Sequence, residues 1–375
     1  MKIVCDNKIP FLKGVLEPYA EVVYLPGRET TAEVVRDADA VITRTRTKCD
    51  AALLEGSAVK VIATATIGFD HIDTAWCESH GIIWKNAPGC NSGSVKQYIA
   101  SLLAVLTRKH GLRFGDITLG VVGVGNVGRK VADLGSVLGM KVLLNDPPRE
   151  RAEGPGQFVS LDRIVEESDI ITLHVPLTKE GEDATWHLFD EAMLARLGGK
   201  ILINASRGPV VDNKALKAAL AKGVLKAAAL DTWEGEPNLD LELMDLLDIT
   251  TPHIAGYSAD GKANGTTASV RTVAGVLGLP LTDWAPAAVP APEQSLCFTI
   301  DAAGKTRQEV LSEAILHTYD IREDSERLRK SPDCFEKLRG DYQVRREFEA
   351  FTVKINGAPA EIVTALERLG FKITQ

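Results

Sequence analysis

Short apolar runs alternate with amphipathic stretches through the first part of this chain. The runs are rich in β-branched residues, the stretches between them have helical character, and the runs are KIVCD, EVVYL, DAVITRT, VKVIATA and GIIWKNA. Strands that alternate with helices form parallel sheets, because each crossover places a helix over the sheet. The pattern therefore predicts an α/β domain at the N-terminus.

A second series of the same kind begins near residue 116. Its apolar segments again alternate with helical stretches and are DITLGVVGVGNVG, KVLLNDP, DIITLHVPL, KILINASRG, LKAAALDTW and DITTPHIAG. Six such units predict a doubly wound parallel sheet. Between the two series, a loop rich in Pro, Gly, Asn and Ser leads into a helix predicted from about Ser94 to Arg108, where the chain crosses between domains.

The C-terminal part differs in composition. Prolines at 286, 290 and 292 indicate a semi-rigid linker. Beyond the linker, apolar segments alternate with helices predicted near 306–319 and 358–369, and these segments are QSLCFTID, EFEAFTVKI and FKIT. The pattern predicts a small α+β module.

The charge balance limits the class of partner. The chain has 43 Lys and Arg residues against 51 Asp and Glu residues, a net charge of −8. This balance disfavours nucleic acids and anionic membranes, so an anionic substrate must be met by cations placed locally. No segment approaches the roughly 20 apolar residues of a membrane span. The six cysteines are far apart without a CxxC pair, which is typical of neither a zinc site nor a disulfide scaffold. We expect a cytoplasmic protein without a required metal.

A glycine motif follows the first strand of the second series. Gly123, Gly125 and Gly128 form GxGxxG between an apolar strand and a helix. The three glycines permit a tight turn, close approach of a pyrophosphate, and close packing of helix on strand. The next strand ends at Asp146, whose carboxylate would accept hydrogen bonds from a ribose and repel a 2′-phosphate. The motif therefore predicts NAD rather than NADP, although Arg149 lies close enough to weaken that preference slightly.

Three chemically distinctive residues follow later strands. Arg207, Glu236 and His253 each come after an apolar run, and the carboxyl ends of parallel strands face the ligand crevice of such a sheet. Arginine orients a carboxylate or carbonyl with two donors, and histidine can take a hydroxyl proton while a carboxylate holds its tautomer. This set suits oxidation of an α-hydroxy acid beside a nicotinamide.

The same segments resemble the D-2-hydroxyacid dehydrogenase family, through GVGNVG, HVPL, NASRGPVVD, DTWEGEP and TPHIAG. The resemblance covers roughly residues 1–280 and implies two doubly wound Rossmann-like domains, the cofactor domain being inserted in the substrate domain. We therefore expect a discontinuous substrate domain at 1–94 and 257–284, an NAD-binding domain at 95–256 and a C-terminal α+β domain at 285–375. In the family the Arg, Glu and His of these motifs are catalytic, which assigns those roles to Arg207, Glu236 and His253.

Further segments resemble one branch of that family, which oxidises a small phosphorylated 2-hydroxy acid with NAD: TRTRTK, TATIGFDHID, NAPGCNSGSV, WEGEP and KLRGDYQVRREF. This resemblance implies a homodimer formed through the C-terminal domain. It implies substrate contacts at Thr45, Thr66 and Tyr257. The implied cofactor contacts beyond the three glycines are Asn126, Val127, Asp146, Val175, Ala205, Ser206, Arg207, Asp231 and Gly256.

Two arginine pairs are candidates for binding the phosphate. Arg44 and Arg46 flank Thr45 after a strand, and residues two apart on a strand share a face, so they could act together. Arg345 and Arg346 precede a C-terminal strand, and one of them could reach the site of a partner subunit. Arg44 and Arg46 could also be ordinary surface arginines.

Two alternatives remain open. A D-3-phosphoglycerate dehydrogenase of the same family would use the same residues, and its C-terminal module would bind serine and regulate the enzyme's activity. An NAD-binding scaffold like the corepressors of this fold would need no catalysis, which the complete set of Arg207, Glu236 and His253 disfavours.

Overall fold

The computed structural model describes residues 1–374. Its strands are β1 (Lys2–Asp6), β2 (Glu21–Leu25), β3 (Ala40–Thr43), β4 (Val61–Thr64), β5 (Ile83–Lys85), β6 (Thr118–Val122), β7 (Lys141–Asn145), β8 (Ile170–Leu173), β9 (Ile201–Asn204), β10 (Ala227–Leu230), β11 (Ile249–Thr250), β12 (Cys297–Asp301), β13 (Thr352–Asn356) and β14 (Lys372–Thr374). Its α-helices are α1 (Ala32–Val35), α2 (Ala51–Leu54), α3 (Thr74–Ser79), α4 (Ser92–Lys109), α5 (Asn126–Leu138), α6 (Pro147–Glu153), α7 (Leu161–Glu167), α8 (Glu191–Ala195), α9 (Asn213–Ala221), α10 (Leu241–Leu246), α11 (Ala259–Leu277), α12 (Arg307–Thr318), α13 (Ile321–Lys330), α14 (Phe335–Gly340) and α15 (Ala360–Leu369).

One compact unit contains residues 1–91 and 258–290. Its five strands are parallel and lie in the order β2-β1-β3-β4-β5. Strands β3 and β4 are buried at every position, as expected of apolar runs in a sheet covered on both faces. Helix α11 returns to this unit, and Val270 and Val273 on it share a core with Ile3 and Ile42.

The second unit contains residues 92–257 and 291–375. Its larger sheet has six parallel strands in the order β11-β10-β9-β8-β6-β7, which confirms the predicted doubly wound fold. Strand β6 is flanked by β7 on one side and β8 on the other, so the direction of winding reverses there. Ligands of such sheets bind at the carboxyl ends of the strands beside this reversal.

The C-terminal part of the same unit has its own small sheet, in the order β12-β13-β14 with all strands parallel. The strand predicted over EFEAFTVKI begins later than expected, because Phe348–Ala350 form a 3-10 turn before β13. Helices α13 and α14 fall where the sequence predicted no element. Helix α13 is highly charged, and its two apolar residues, Ile321 and Leu328, both reach the core.

Helix α4 joins the two parts of this unit. It begins two residues before the predicted start, and it is buried from Ser92 to Thr107. Its polar side chains bond to the C-terminal part of the chain: Lys96 Nζ donates to the Leu369 carbonyl at 2.8 Å, and Gln97 Nε2 donates to Thr318 Oγ1 at 3.1 Å. Because buried polar groups need partners, these bonds fasten α12 and α15 of the C-terminal part to α4.

Candidate active site

The GxGxxG segment forms a tight loop between β6 and α5. Gly123 has φ +83°, and a Cβ there would lie 2.6 Å from the His174 carbonyl oxygen. A Cβ on Gly128 would lie 1.9 Å from the Gly123 carbonyl oxygen, so neither position admits a larger residue. Beside Gly125, in contrast, a Cβ would have no atom within 4 Å. The open side of the loop and the N-terminus of α5 together fit a pyrophosphate.

Asp146 closes the other side of this loop. Its Oδ2 accepts a hydrogen bond from the Val124 amide at 2.7 Å, and its Oδ1 accepts one from the Arg149 amide at 3.1 Å. The guanidinium of Arg149 donates to the Val124 carbonyl at 2.6 Å and pairs with Glu153 at 2.7 Å. Since the charge of Arg149 is already paired, a carboxylate is the group presented to a ribose, which fits NAD.

The remaining predicted cofactor residues follow the same edge of the six-stranded sheet. Val175 lies after β8 and against the glycine loop, since a Cβ on Gly123 would be 2.7 Å from its Cγ1. Nearby His174 is desolvated, which lowers its pKa to about 3 and keeps the imidazole neutral. The others are Asn126 and Val127 in the first turn of α5, Ala205 and Ser206 after β9, and Gly256 after β11.

Arg207 is held in a tight turn at the end of β9. Asn204 Nδ2 donates to the Arg207 carbonyl at 2.9 Å, while its Oδ1 accepts from Ser206 Oγ at 2.7 Å. A Cβ on Gly208 would lie 2.0 Å from the Trp233 carbonyl oxygen, so only glycine lets this turn pack on the loop after β10. The buried strand and its turn therefore fix the half-buried Arg207 at the carboxyl edge of the sheet.

Glu236 and His253 form a close pair. Glu236 Oε1 lies 2.6 Å from His253 Nδ1, and Glu236 Oε2 accepts a bond from the Trp233 amide at 3.1 Å. Burial alone would raise the pKa of Glu236, but the hydrogen bond and charge of His253 outweigh it and lower that pKa. An ionised Glu236 fixes the proton on Nδ1, which leaves Nε2 of His253 to exchange a proton.

The backbone around His253 is strained and firmly held. His253 has φ +55°, a conformation that costs a non-glycine residue roughly 1–3 kcal/mol. Its amide donates to the Asp231 carbonyl at 2.7 Å, and the Asp231 carboxylate accepts from the amides of Ile254 and Ala255 at 2.8 and 2.9 Å. Asp231, predicted as a cofactor contact, is 1% exposed and lies beneath this loop.

The candidate substrate residues of the N-terminal unit lie on loops. Strand β3 ends at Thr43 and residues 45–46 form a turn, so the expectation that Arg44 and Arg46 share one face of a strand is wrong. Thr45 and Arg46 are exposed, and Arg44 Nη1 lies 3.5 Å from the Lys8 carbonyl. Thr66 follows β4, where its hydroxyl donates to the Gly68 carbonyl at 2.9 Å.

Of the two C-terminal arginine candidates, Arg345 lies against the His253 loop. Arg345 is 3% exposed and donates to the Ala255 carbonyl at 2.6 Å. Its guanidinium therefore contacts this chain's own backbone, whereas the sequence predicted that it would bind a phosphate. The carbonyl of Arg346 accepts from Gln97 at 2.8 Å. Tyr257 lies under the guanidinium of Arg339, whose charge also reaches Glu236. Arg339 was missed as a site residue, although it belongs to the basic segment KLRGDYQVRREF.

Two kinds of site are absent from the described part of the chain. Among residues 1–374, no group of three or more His, Cys, Asp or Glu side chains is gathered as a metal site requires. Within the same residues, none of the helices combines the length and apolar character needed to cross a membrane.

Comparisons with known families match both parts of the second unit. Residues 101–255 match the family described as D-isomer specific 2-hydroxyacid dehydrogenase, NAD binding domain. Residues 293–370 match a domain family of unknown function. The first match contains all six strands of the larger sheet, and the second contains β12 and β13 of the small C-terminal sheet.

Individual proteins extend the similarity to nearly the whole chain. The chain is 50% identical to erythronate-4-phosphate dehydrogenase from Bacteroides fragilis, over 95% of this chain and 99% of that protein. It is 44% identical to the protein of the same name from Porphyromonas gingivalis, over 99% of this chain and 100% of that protein. Among solved structures, it is similar to D-lactate dehydrogenase from Aquifex aeolicus complexed with NAD and lactic acid, with 29% identity, a TM-score of 0.61, and coverage of 74% of this chain and 96% of that chain.

Proposed function

Since this chain belongs to the erythronate-4-phosphate dehydrogenase family of the D-2-hydroxyacid dehydrogenases, we propose that Arg207, Glu236 and His253 are its catalytic residues. The reaction is the NAD-dependent oxidation of the 2-hydroxyl of 4-phospho-D-erythronate to 2-oxo-3-hydroxy-4-phosphobutanoate, a step of vitamin B6 biosynthesis. The observation that carries the assignment is the 2.6 Å bond between His253 and Glu236, on loops at the sheet edge that also bears Arg207 and the glycine loop.

His253 is proposed as the base. When bound, NAD supplies the acceptor for the hydride that leaves C2 of the substrate. As that C–H bond breaks, the 2-hydroxyl gives its proton to Nε2 of His253 and the carbonyl forms. Glu236 stabilises the resulting imidazolium through Nδ1, and it keeps the ring oriented before and after the transfer.

Arg207 is proposed to orient the acid. Its guanidinium presents parallel donors that match a carboxylate or the oxygen of the forming carbonyl. Negative charge develops on that oxygen as its proton leaves, so a fixed cation lowers the barrier. Support comes from the Asn204 turn, which holds the Arg207 backbone.

The phosphate is proposed to bind through Arg44 and Arg46, with further substrate contacts from Thr45, Thr66 and Tyr257. A dianion needs local cations in a chain with a net charge of −8, and the turn after β3 places two arginines in close succession. The proposed domains are a substrate domain at 1–94 and 257–284, an NAD-binding domain at 95–256 and a C-terminal domain at 285–375.

The substrate assignment is tested with 4-phospho-D-erythronate, D-erythronate and D-3-phosphoglycerate, by following NADH formation without an added acceptor and formation of the 2-oxo acid product with 2-oxoglutarate present to reoxidise NADH. We expect clear preference for the phosphorylated four-carbon acid. Preference for D-3-phosphoglycerate, with sensitivity to serine, would instead favour the regulated relative. Absence of turnover with all three acids would favour a scaffold.

The C-terminal domain is proposed to form a homodimer, in which Arg346 reaches the partner subunit's site. Its helices pack on α4 and α5, whereas Thr299, Lys354 and Thr374 lie on the exposed face of its sheet. Sedimentation of the full chain as a dimer supports the proposed homodimer, and a monomer at all concentrations contradicts it.

A cytoplasmic location is also proposed, supported by the buried thiols of Cys5 and Cys49.

A further inference from the structure

We propose that Arg345, in the C-terminal domain, is a positioning residue that holds the His253 loop in its working conformation. The inference rests on the proposed function only in taking His253 as the base. The hydrogen bonds of the Arg345 guanidinium go to the two peptide groups that follow His253.

The loop after β11 is held from two sides. Asp231 accepts hydrogen bonds from the amides of Ile254 and Ala255 at 2.8 and 2.9 Å. Arg345 Nη2 donates to the carbonyls of the same two residues at 3.3 and 2.6 Å. The amides of this segment are therefore bound to a carboxylate, and its carbonyls are bound to a guanidinium. A strained residue such as His253, with φ +55°, persists only where its surroundings determine it in this way.

The surroundings of Arg345 are built to keep a cation buried. Its guanidinium lies 4.5 Å from the ring centre of Tyr319 and 5.8 Å from that of Tyr342. Both tyrosine hydroxyls donate to Asp324, at 2.8 and 2.7 Å, and Asp324 is 4% exposed. The rings thus stack on the cation while their hydroxyls bring a carboxylate close to it. Burying a charge is unfavourable compared with an apolar residue of similar size, so this arrangement indicates a use for the cation, and the His253 loop is what it binds.

Two other arginines of the C-terminal domain make the same kind of contact elsewhere. Arg307 donates to the carbonyls of Val137 and Leu138 at the end of α5. Arg329 donates to the carbonyls of Met244 and Leu247, at 2.8 and 2.6 Å, around the end of α10. Both bind carbonyls at helix C-termini, where cations are favourable. All three arginines fasten the C-terminal domain to the nucleotide-binding fold, but only Arg345 does so next to His253.

This pattern supplies a matched control. Arg345→Met and Arg329→Met each remove one arginine and its bonds to two carbonyls, and each leaves an apolar side chain of similar length. We expect both to lower the melting temperature. Only Arg345→Met should release Ile254 and Ala255 from one side, displace His253 from Glu236 and lower kcat, because misplacement of a catalytic group by about 1 Å costs on the order of 10²-fold.

The test uses the full chain and measures kcat, KM for 4-phospho-D-erythronate and for D-erythronate, NADH affinity and melting temperature. Arg345→Met should lower kcat about 10²-fold with NADH affinity kept, since the glycine loop is untouched. Arg329→Met should keep the wild-type kcat. Arg345→Lys, which retains a donor, should recover part of the lost kcat, and it carries the test should Arg345→Met fail to fold.

Three results would overturn the inference. The first is a wild-type kcat in Arg345→Met, or in Arg345→Lys should that variant carry the test. The second is an equal loss of kcat in Arg345→Met and Arg329→Met, which would indicate a purely structural contact. The third is a rise in KM confined to the phosphorylated acid, which would make Arg345 a phosphate ligand. Failure of the wild-type chain to oxidise the acid would instead count against the proposed function, so the two failures are distinguishable.

Discussion

The loop after β11 and the turn after β3 both carry proposed substrate-handling residues, yet their surroundings are opposite. In the first, Asp231 and Arg345 bind both the amides and the carbonyls that follow His253. In the second, Thr45 and Arg46 are exposed, in a turn that follows immediately on a buried strand. Proton transfer demands a fixed distance and angle, whereas a dianion is attracted by cations over a range of positions. We therefore propose that the first region sets the rate and that the second sets affinity for the substrate.

Replacing the proposed base should give the largest effect. We expect His253→Ala to lower kcat by about 10³-fold, within the range that a positioned base contributes. NADH affinity should stay at the wild-type value, because the glycine loop and Asp146 are unaltered. Steady-state kinetics with NADH titration by fluorescence checks both. A variant that keeps wild-type kcat would remove His253 from the mechanism.

Replacing a cation of the turn should act on affinity. We expect Arg44→Ala to raise KM for 4-phospho-D-erythronate roughly 10-fold or more, because a hydrogen bond to a charged group contributes about 1.5–3 kcal/mol. The KM for unphosphorylated D-erythronate should change little. Equal changes for the two acids would remove the phosphate role, and a loss confined to kcat would erase the contrast between the two regions.

The pH dependence of stability should give the smallest effect, and it probes the first region alone. Burial acts to raise the pKa of Glu236, but its hydrogen bond with His253 outweighs burial, so the pKa lies below its ordinary value of 4.5. A lowered folded-state pKa contributes stability above the unfolded value, and that contribution is lost as the pH falls through the folded value. The melting temperature of the wild type should therefore fall more steeply below pH 4.5 than that of Glu236→Gln. Parallel curves for the two proteins would mean that Glu236 is not held as described.

The parts of the site predicted from the sequence are those with local signals. The sequence places these site positions because each comes within a few residues of the end of an apolar strand. They are the glycine motif, Asp146 and the residues after β9, β10 and β11. The fold and family are confirmed on the same segments. The catalytic and binding roles of these residues stay predictions.

The parts that the sequence did not predict depend on contacts between distant segments. Arg345 meets Ala255 from ninety positions along the chain, and nothing near either residue signals the bond. Helix α13 has the composition of an exposed segment and is recognisable only beside the core it covers. The expectation that Arg44 and Arg46 share one face of a strand was wrong for a local reason. Strand β3 ends at Thr43, and residues two apart share a face only within a strand.

The most direct test of the contrast is to compare saturation curves of Arg44→Ala and Arg345→Met with 4-phospho-D-erythronate. The account predicts that Arg44→Ala approaches the wild-type rate once the acid is saturating, while Arg345→Met stays slow at every concentration. The opposite outcome, a slow Arg44→Ala at saturation and a fully recovered Arg345→Met, would contradict the division between a rate-setting loop and an affinity-setting turn.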